Sequence, residues 1–302
     1  MVKTMAKAPV RLTHPDKVLD EASGLTKQGL ADYYWAVSEK MLPHLKGRAI
    51  SLVRVPDGIG EPQFYQKHKT AMMPDGFDSV AVPDKKTGTV EEYIAANTRE
   101  AIASLAQMSV MEVHPWGSLA KNLERADRLI FDLDPDEALS WVELAGAAED
   151  AKERLEALGL RSFVKTTGGK GLHVVVPIVA EMEWPEVKDF CHRLVLEMER
   201  GNPELYLTKM TKAARVGKIY LDYLRNERGA TAVAPYSPRA RAYVGVAMPL
   251  DWSELKVKER PVYRVGGFAE WRGRLVEDAW EEFFAVKQRV SPKARKALGM
   301  QA

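Results

Sequence analysis

Three clusters of residues in this chain carry side chains suited to chemistry. Asp132-Leu133-Asp134 closes an apolar run, Leu129-Ile130-Phe131. In a strand, residues i and i+2 point to one face, so both carboxylates project together while Leu133 turns to the core. Two carboxylates this close raise each other's pKa unless a cation neutralises them, and hard oxygen ligands at a strand end suit Mg²⁺ or Mn²⁺. The plain alternative is a strand running out into an acidic turn, helped by Asp136 and Glu137.

The second cluster is Thr166-Thr167-Gly168-Gly169-Lys170-Gly171-Leu172-His173, between two predicted strands. Glycines let backbone N–H groups approach an anion, Lys170 neutralises it, and Thr167 adds a hydroxyl donor. His173 opens the next strand within reach of the same phosphates. Lys170 is not followed by Ser or Thr, so the pattern is not a P-loop, and a glycine hairpin with a solvated lysine is the alternative. The third cluster, residues 209–228, holds Lys209, Lys212, Arg215, Lys218, Arg225 and Arg228 against Asp222 and Glu227. Asp222 ends an apolar strand and reads either as a salt-bridge partner or as a third metal ligand. Arg239 and Arg241, two residues apart, suit bidentate phosphate contact or a solvated loop. Together, three acids, a phosphate cradle and several cations are equipment for phosphoryl or nucleotidyl transfer by two metals ~3.5–4 Å apart.

The elements that must position these groups follow from spacing and breakers. Thr26 caps a predicted helix to about residue 42, with Leu30, Tyr33, Tyr34, Val37 and Met41 at helical spacing and Pro43 as its end. Residues 50–55 read as a strand before the turn Pro56-Asp57-Gly58, and residues 72–89, rich in Pro, Asp, Lys and Gly, as a surface loop. Residues 91–107 look helical, and 110–113 and 128–134 look like strands. An amphipathic helix over 141–158 is stopped by Gly159. Strands at 161–165 and 172–177 flank the glycine turn. A helix from Pro185 reaches residue 200, a short strand covers 218–222, and a late helix is predicted over 275–288. Strands and helices interleave through connections short enough for hairpins, which predicts a mixed α/β or α+β fold rather than a regular doubly wound sheet.

Composition sets the outer limits. The 302 residues are 46% hydrophobic and 28% charged, the balance of a globular protein with a sizeable core or two packed lobes. No boundary between lobes is evident, so 1–302 reads as one catalytic domain. A net charge of +2 advertises no nucleic-acid or membrane partner, so any such partner needs a local patch. The single cysteine, Cys191, leaves no disulfide framework and fits a reducing cytosol. No apolar run nears the ~20 residues of a membrane span, and residues 1–9 lack the apolar core of a secretion signal. A secreted, membrane or disordered protein is not expected.

In this order the motifs resemble the polymerase domain of bacterial ligase D, within the archaeo-eukaryotic primase superfamily. Asp132 and Asp134 match the family's paired acids; Thr167, Lys170 and His173 its hydroxyl–Gly/Lys–His turn; Asp222 its lone third acid; and His14-Pro15-Asp16-Lys17 its opening motif. Pro235-Tyr236-Ser237 with Arg239 and Arg241 is also similar, and the likeness covers nearly the whole chain. It implies an α+β fold: a primase-type core with a mixed or antiparallel sheet flanked by helices, beside an RRM-like lobe. It implies template-directed addition of nucleotides, preferentially ribonucleotides, to DNA 3′ ends in gap filling and end repair during non-homologous end joining.

By the match, Asp132, Asp134 and Asp222 hold two Mn²⁺ or Mg²⁺ ions. Thr167, Lys170, His173, Arg215 and Arg239 or Arg241 hold the incoming NTP or dNTP, with Arg225 beside the nucleotide or the third acid. Phe64 resembles the aromatic on which a base stacks, and its alternative is an ordinary core aromatic. Lys17 and Lys27, with His14 where the family carries Asn, match a pocket for the DNA 5′-phosphate. Thr167 stands where Ser is frequent and keeps the hydroxyl. His114 fits as support for the acids, or as a core histidine. The implied partners are primer-template DNA, gaps and double-strand break ends, a Ku-type end-binding protein, and ligase and phosphoesterase domains of the same polypeptide, in the cytoplasm at the nucleoid and with no membrane. The basic run Lys287, Arg289, Lys293, Arg295, Lys296 reads as DNA-phosphate contact or as a solvated helix face. No ligase-type adenylation motif is present, so nick sealing is not expected. Two competing readings stay open: a metal-dependent nuclease or phosphohydrolase using the same acids, and a non-catalytic DNA end-bridging module.

Overall fold

Val18–Asp20 (β1) and Leu25–Thr26 (β2) pair antiparallel, and Thr26 then caps helix α1, Lys27–Leu45, its Oγ1 accepting from the Gly29 N–H at 3.1 Å. The structure is a computed structural model describing residues 5–300; part of the stretch read for a secretion signal, residues 1–4, lies outside them. Pro43 does not end α1 but sits in its last turn. Its missing N–H forfeits one bond there, while Lys46 N–H still reaches the Leu42 carbonyl at 2.8 Å.

The chain continues through strands β3 (Ile50–Arg54), β4 (Phe64–Gln66), β5 (Asp78–Pro83) and β6 (Val90–Ala95), helix α2 (Arg99–Ser104) and strand β7 (Val110–Pro115). Two expectations are corrected here. The predicted surface loop at 72–89 contains β5, whose Val80 and Val82 are buried in alternation with exposed Ser79 and Ala81. The helix expected over 91–107 is a strand in its first part, because residues 90–95 pair with 78–83 as a hairpin. Helix begins only after Thr98, which caps the Ala101 N–H at 3.1 Å. Cross-strand pairing decided what helical spacing alone left ambiguous.

Next come β8 (Arg128–Pro135), α3 (Trp141–Ala157), β9 (Phe163–Thr166), β10 (Leu172–Pro177), α4 (Trp184–Gly201), β11 (Tyr206–Leu207), β12 (Ile219–Asp222), β13 (Pro249–Leu250), α5 (Phe268–Trp271) and α6 (Pro292–Ala297). The chain divides into two compact units, each made of three segments. The first comprises Met1–Lys121, Val233–Met248 and Val262–Asp278; the second comprises Asn122–Ala232, Pro249–Pro261 and Ala279–Ala302. This interleaving is why no boundary shows in composition.

In the first unit β3 pairs antiparallel with β4, β6 and β7, and β5 pairs with β6. α1 packs on α2 and buries Leu30, Tyr33, Tyr34, Val37 and Met41. In the second unit six strands run in the order β11-β12-β8-β10-β9-β13, antiparallel except for β11 with β12. α3 and α4 lie against β8 and β10, where Phe131, Leu133 and Val174 are buried. The opposite face carries Ile130, Val175 and Phe163, covered by Trp280 and Phe283, whose rings stack at 4.9 Å.

That cover overturns the helix expected over 275–288. The segment crosses from one unit to the other at Asp278, and Trp280 turns to donate its Nε1–H to the Val164 carbonyl at 2.9 Å. Burying two aromatics on a sheet face outweighs local helical spacing. The basic run near the C-terminus is partly paired, Arg289 with Glu181 and Arg295 with Glu186.

Candidate active site

Register gathers the second unit's chemistry into one row. In the antiparallel sheet Asp222 faces Asp132, Asp132 faces His173, and His173 faces Lys165. Residues directly opposite project to the same face, so β12, β8, β10 and β9 contribute one side chain each to a line across the sheet. Asp134, two residues beyond Asp132, adds its carboxylate to that face beside Tyr220. The acids thus occupy one end of the face whose other end is the Trp280–Phe283 cluster.

Cations bind each carboxylate. Arg225 bridges two of them, Nε lying 3.2 Å from Asp132 and Nη2 3.0 Å from Asp222. Asp222 also accepts the Leu224 N–H at 2.8 Å. Asp134 is held by Arg215 at 3.3 Å and Lys170 at 3.6 Å, and the Arg215 guanidinium lies over the Tyr220 ring, 3.8 Å from its centroid. His173 Nε2 is 3.4 Å from Asp132, while its buried Nδ1 has no hydrogen-bond partner among the described residues. Burial, reinforced by the Lys165 cation, pushes His173 down to about 4 despite the pull of Asp132, so the imidazole is neutral at pH 7. Burial alone would raise Asp132, but its contacts with His173 and Arg225 hold it below the usual carboxylate range. Burial raises Asp222, with Arg225 opposing and the Asp132 charge adding to the rise.

As the side chains stand, no group of three acids or histidines among the described residues forms a metal cage. The donor set nonetheless fits a hard divalent cation: three carboxylates lie on one face of two paired strands, and a raised Asp222 is what a further positive charge would relieve.

The glycine turn is clamped to β8 between the acids. A Cβ on Gly171 would lie 2.6 Å from the Leu133 carbonyl oxygen, so only glycine permits this approach. Gly168 takes φ +73°, and Thr167 closes the turn, its N–H and hydroxyl both donating to the Gly171 carbonyl at 3.1 Å. The structure therefore brings together Asp132, Asp134, Asp222, Thr167, Lys170, His173, Arg215 and Arg225.

The remaining expected residues belong to the first unit. On β7, Glu112 accepts from His114 Nε2 at 2.8 Å and from the Ala240 N–H at 2.9 Å, and Arg239 Nε lies 3.1 Å away. The His114, Arg239 and Ala240 contacts outweigh burial and hold Glu112 down at about 2. Segment 233–248 docks on β7 through Ala234 N–H to Val113 O and Val113 N–H to Ser237 Oγ. Arg241 is exposed, and so is Phe64 on β4, which removes the core-aromatic alternative for Phe64. His14 takes φ +51°. Lys27 N–H donates to the Lys17 carbonyl, bringing the two lysines into one neighbourhood. Burial and then the Lys17 charge lower the Lys27 pKa, and Lys17 pairs with Asp57 at 3.5 Å. Sequence reasoning missed Glu112 and Lys165. The i, i+2 spacing to His114 was a signal for Glu112; Lys165 had none, because its place beside His173 exists only through strand register.

A face of paired acids beside a glycine–lysine turn on an antiparallel sheet is the arrangement that the sequence motifs lead one to expect of a nucleotidyltransferase of the polymerase and primase class. The family model "LigD, primase-polymerase domain" matches residues 26–280, and the chain belongs to that family. It is a DNA-directed nucleotidyltransferase domain, with the α+β fold that the motifs implied.

The chain is 36% identical over 97% of its length to the multifunctional non-homologous end joining protein LigD of Pseudomonas aeruginosa, covering 35% of that protein. It is 35% identical over 82% of its length to the Mycolicibacterium smegmatis counterpart, covering 32%. The chain thus spans about a third of these relatives. The solved polymerase domain of Mycobacterium tuberculosis ligase D in complex with DNA superposes with a TM-score of 0.84 at 30% identity, covering 92% of this chain and 99% of that one. Among the described residues no helix is long and apolar enough to cross a membrane.

Proposed function

We propose that this domain extends DNA 3′ ends on a template, preferentially with ribonucleotides, filling gaps and repairing break ends in bacterial non-homologous end joining. The cross-strand row Asp222–Asp132–His173, set against the Gly171 turn, carries the reading. Asp132, Asp134 and Asp222 would hold two Mn²⁺ or Mg²⁺ ions, which lower the pKa of the primer 3′-hydroxyl and offset charge on the transferring phosphoryl group. Lys170 and Arg215, which lie beside Asp134, would bind the triphosphate, as would Thr167 and neutral His173. Arg225 sits beside the nucleotide. In the first unit, Glu112 orients Arg239 and His114, Arg239 and Arg241 contact phosphates, and Phe64 stacks a base. His14, Lys17 and Lys27 form the 5′-phosphate pocket.

The longer relatives it matches are multifunctional non-homologous end joining proteins, and on that footing the domain would work beside ligase and phosphoesterase domains of the same polypeptide, with a Ku-type partner at break ends, in the cytoplasm at the nucleoid. Primer extension on gapped and 3′-overhang DNA, with rNTP and dNTP under each metal, tests the reading. Template-dependent pyrophosphate release that disappears in Asp132→Asn and Asp134→Asn supports it. Triphosphate hydrolysis without a primer would make the domain a phosphohydrolase, and end binding with no turnover under any condition would make it a bridge.

A further inference from the structure

Strand β12 stops at Asp222, yet β8 continues to Arg128, so Ile130, paired with Val175 of β10 on one edge, has no strand partner among the described residues on the β12 edge. The side chain of Asn226 takes that place. Its Oδ1 accepts the Ile130 N–H at 2.8 Å and its Nδ2 donates to the Ile130 carbonyl at 2.6 Å, as a paired residue's backbone would. The same Nδ2 reaches the Tyr223 carbonyl at 2.8 Å, and the Asn226 N–H donates to that carbonyl at 3.1 Å. Asn226 is 1% exposed. A donor and an acceptor on Ile130 admit only one orientation of the amide.

Between Asp222 and Asn226 lies the turn that shapes the acid site. Leu224 N–H binds Asp222, and Arg225 spans Asp222 and Asp132. The turn is therefore fastened to β8 twice, by the Asp222–Asp132 strand pair and by the Asn226 amide, with Arg225 between. We propose that Asn226 is a positioning residue: it continues the sheet by a side chain where the backbone leaves it, and so holds Asp222 opposite Asp132 for cation binding. Releasing it lets residues 223–226 swing away and the third carboxylate with them. This inference rests on the metal-site reading above.

The test uses the purified chain with Mn²⁺ itself as the probe, its dissociation constant measured by electron paramagnetic resonance of the free ion well below the melting temperature. Asn226→Ala removes the amide. Asn226→Asp keeps the volume and the acceptor but loses both donations, and serves if the alanine variant does not fold. Phe283→Ala, at the apolar end of the same face, is the control for general destabilisation. Both Asn226 variants are expected to weaken Mn²⁺ binding about 10–100-fold, with primer-extension kcat falling in step, while Phe283→Ala lowers stability and leaves Mn²⁺ affinity unchanged. Wild-type Mn²⁺ affinity in the Asn226 variants, or an equal loss in Phe283→Ala, overturns the proposal. A wild-type chain that binds Mn²⁺ without extending primers would refute the polymerase reading and leave the role of Asn226 to be judged by the affinities.

Discussion

Asp222 lies directly across the β8–β12 pair from Asp132, although ninety positions separate them in the chain, and one guanidinium, that of Arg225, touches both. Two carboxylates on facing strands repel unless a cation stands between them, and Arg225 supplies such a charge. Asp222→Asn is expected to leave the melting temperature within about 4 °C of wild type, because the buried like charge is removed while Arg225 keeps Asp132. Primer extension should fall about a thousandfold, on the order of 4 kcal/mol of lost transition-state stabilisation. Calorimetry and single-nucleotide incorporation check this pair of outcomes; near-normal extension would remove Asp222 from the metal site.

Gly171 touches the backbone between the two β8 acids, where no side chain can yield. Gly171→Ala should destabilise by about 1–3 kcal/mol and raise KM for the triphosphate as the Lys170 turn lifts from β8. Gly146→Ala is the contrast. It lies inside α3, where an added methyl group would meet nothing within 4 Å among the described residues, and should stabilise by about 0.5–1 kcal/mol. Urea unfolding distinguishes the two.

Glu112 is held at about 2, against 4.5 for an ordinary glutamate, despite its burial. Its contribution is fully present above pH 4.5 and is lost as the pH falls toward 2. Glu112→Gln should be less stable than wild type by about 3 kcal/mol at neutral pH, and the gap should close across that window. Unfolding curves at pH 7, 4 and 2.5 read it directly, and an undiminished gap at pH 2.5 would contradict the assignment.

Phe64 is exposed on the short strand β4, so its removal should barely alter stability, within about 0.5 kcal/mol. If it carries a base, Phe64→Ala should raise KM for nucleotide or template by roughly 5–150-fold, the equivalent of ~1–3 kcal/mol of stacking, and Phe64→Trp should restore most of it. Unchanged kinetics would return Phe64 to the bare surface.

Local chemistry was legible in the sequence. The two-residue period of a strand put Asp132 and Asp134 on one face, Thr26 capped α1, Gly159 with φ +78° ended α3, and three glycines around Lys170 announced a turn open to an anion. Each depends on neighbours within a few positions, so the residues suffice. What failed was local pattern facing a remote competitor. Residues 90–95 became a strand because 78–83 paired with them, and the segment around Trp280 gave up its helix to cover Ile130, Phe163 and Val175. Tertiary structure alone decided that Asp222, Asp132, His173 and Lys165 form one row, that Glu112 orders Arg239, and that Asn226 completes β8. Strand register is set by burial on two sheet faces and by hydrogen bonds between distant segments, and no local stretch of sequence contains that information.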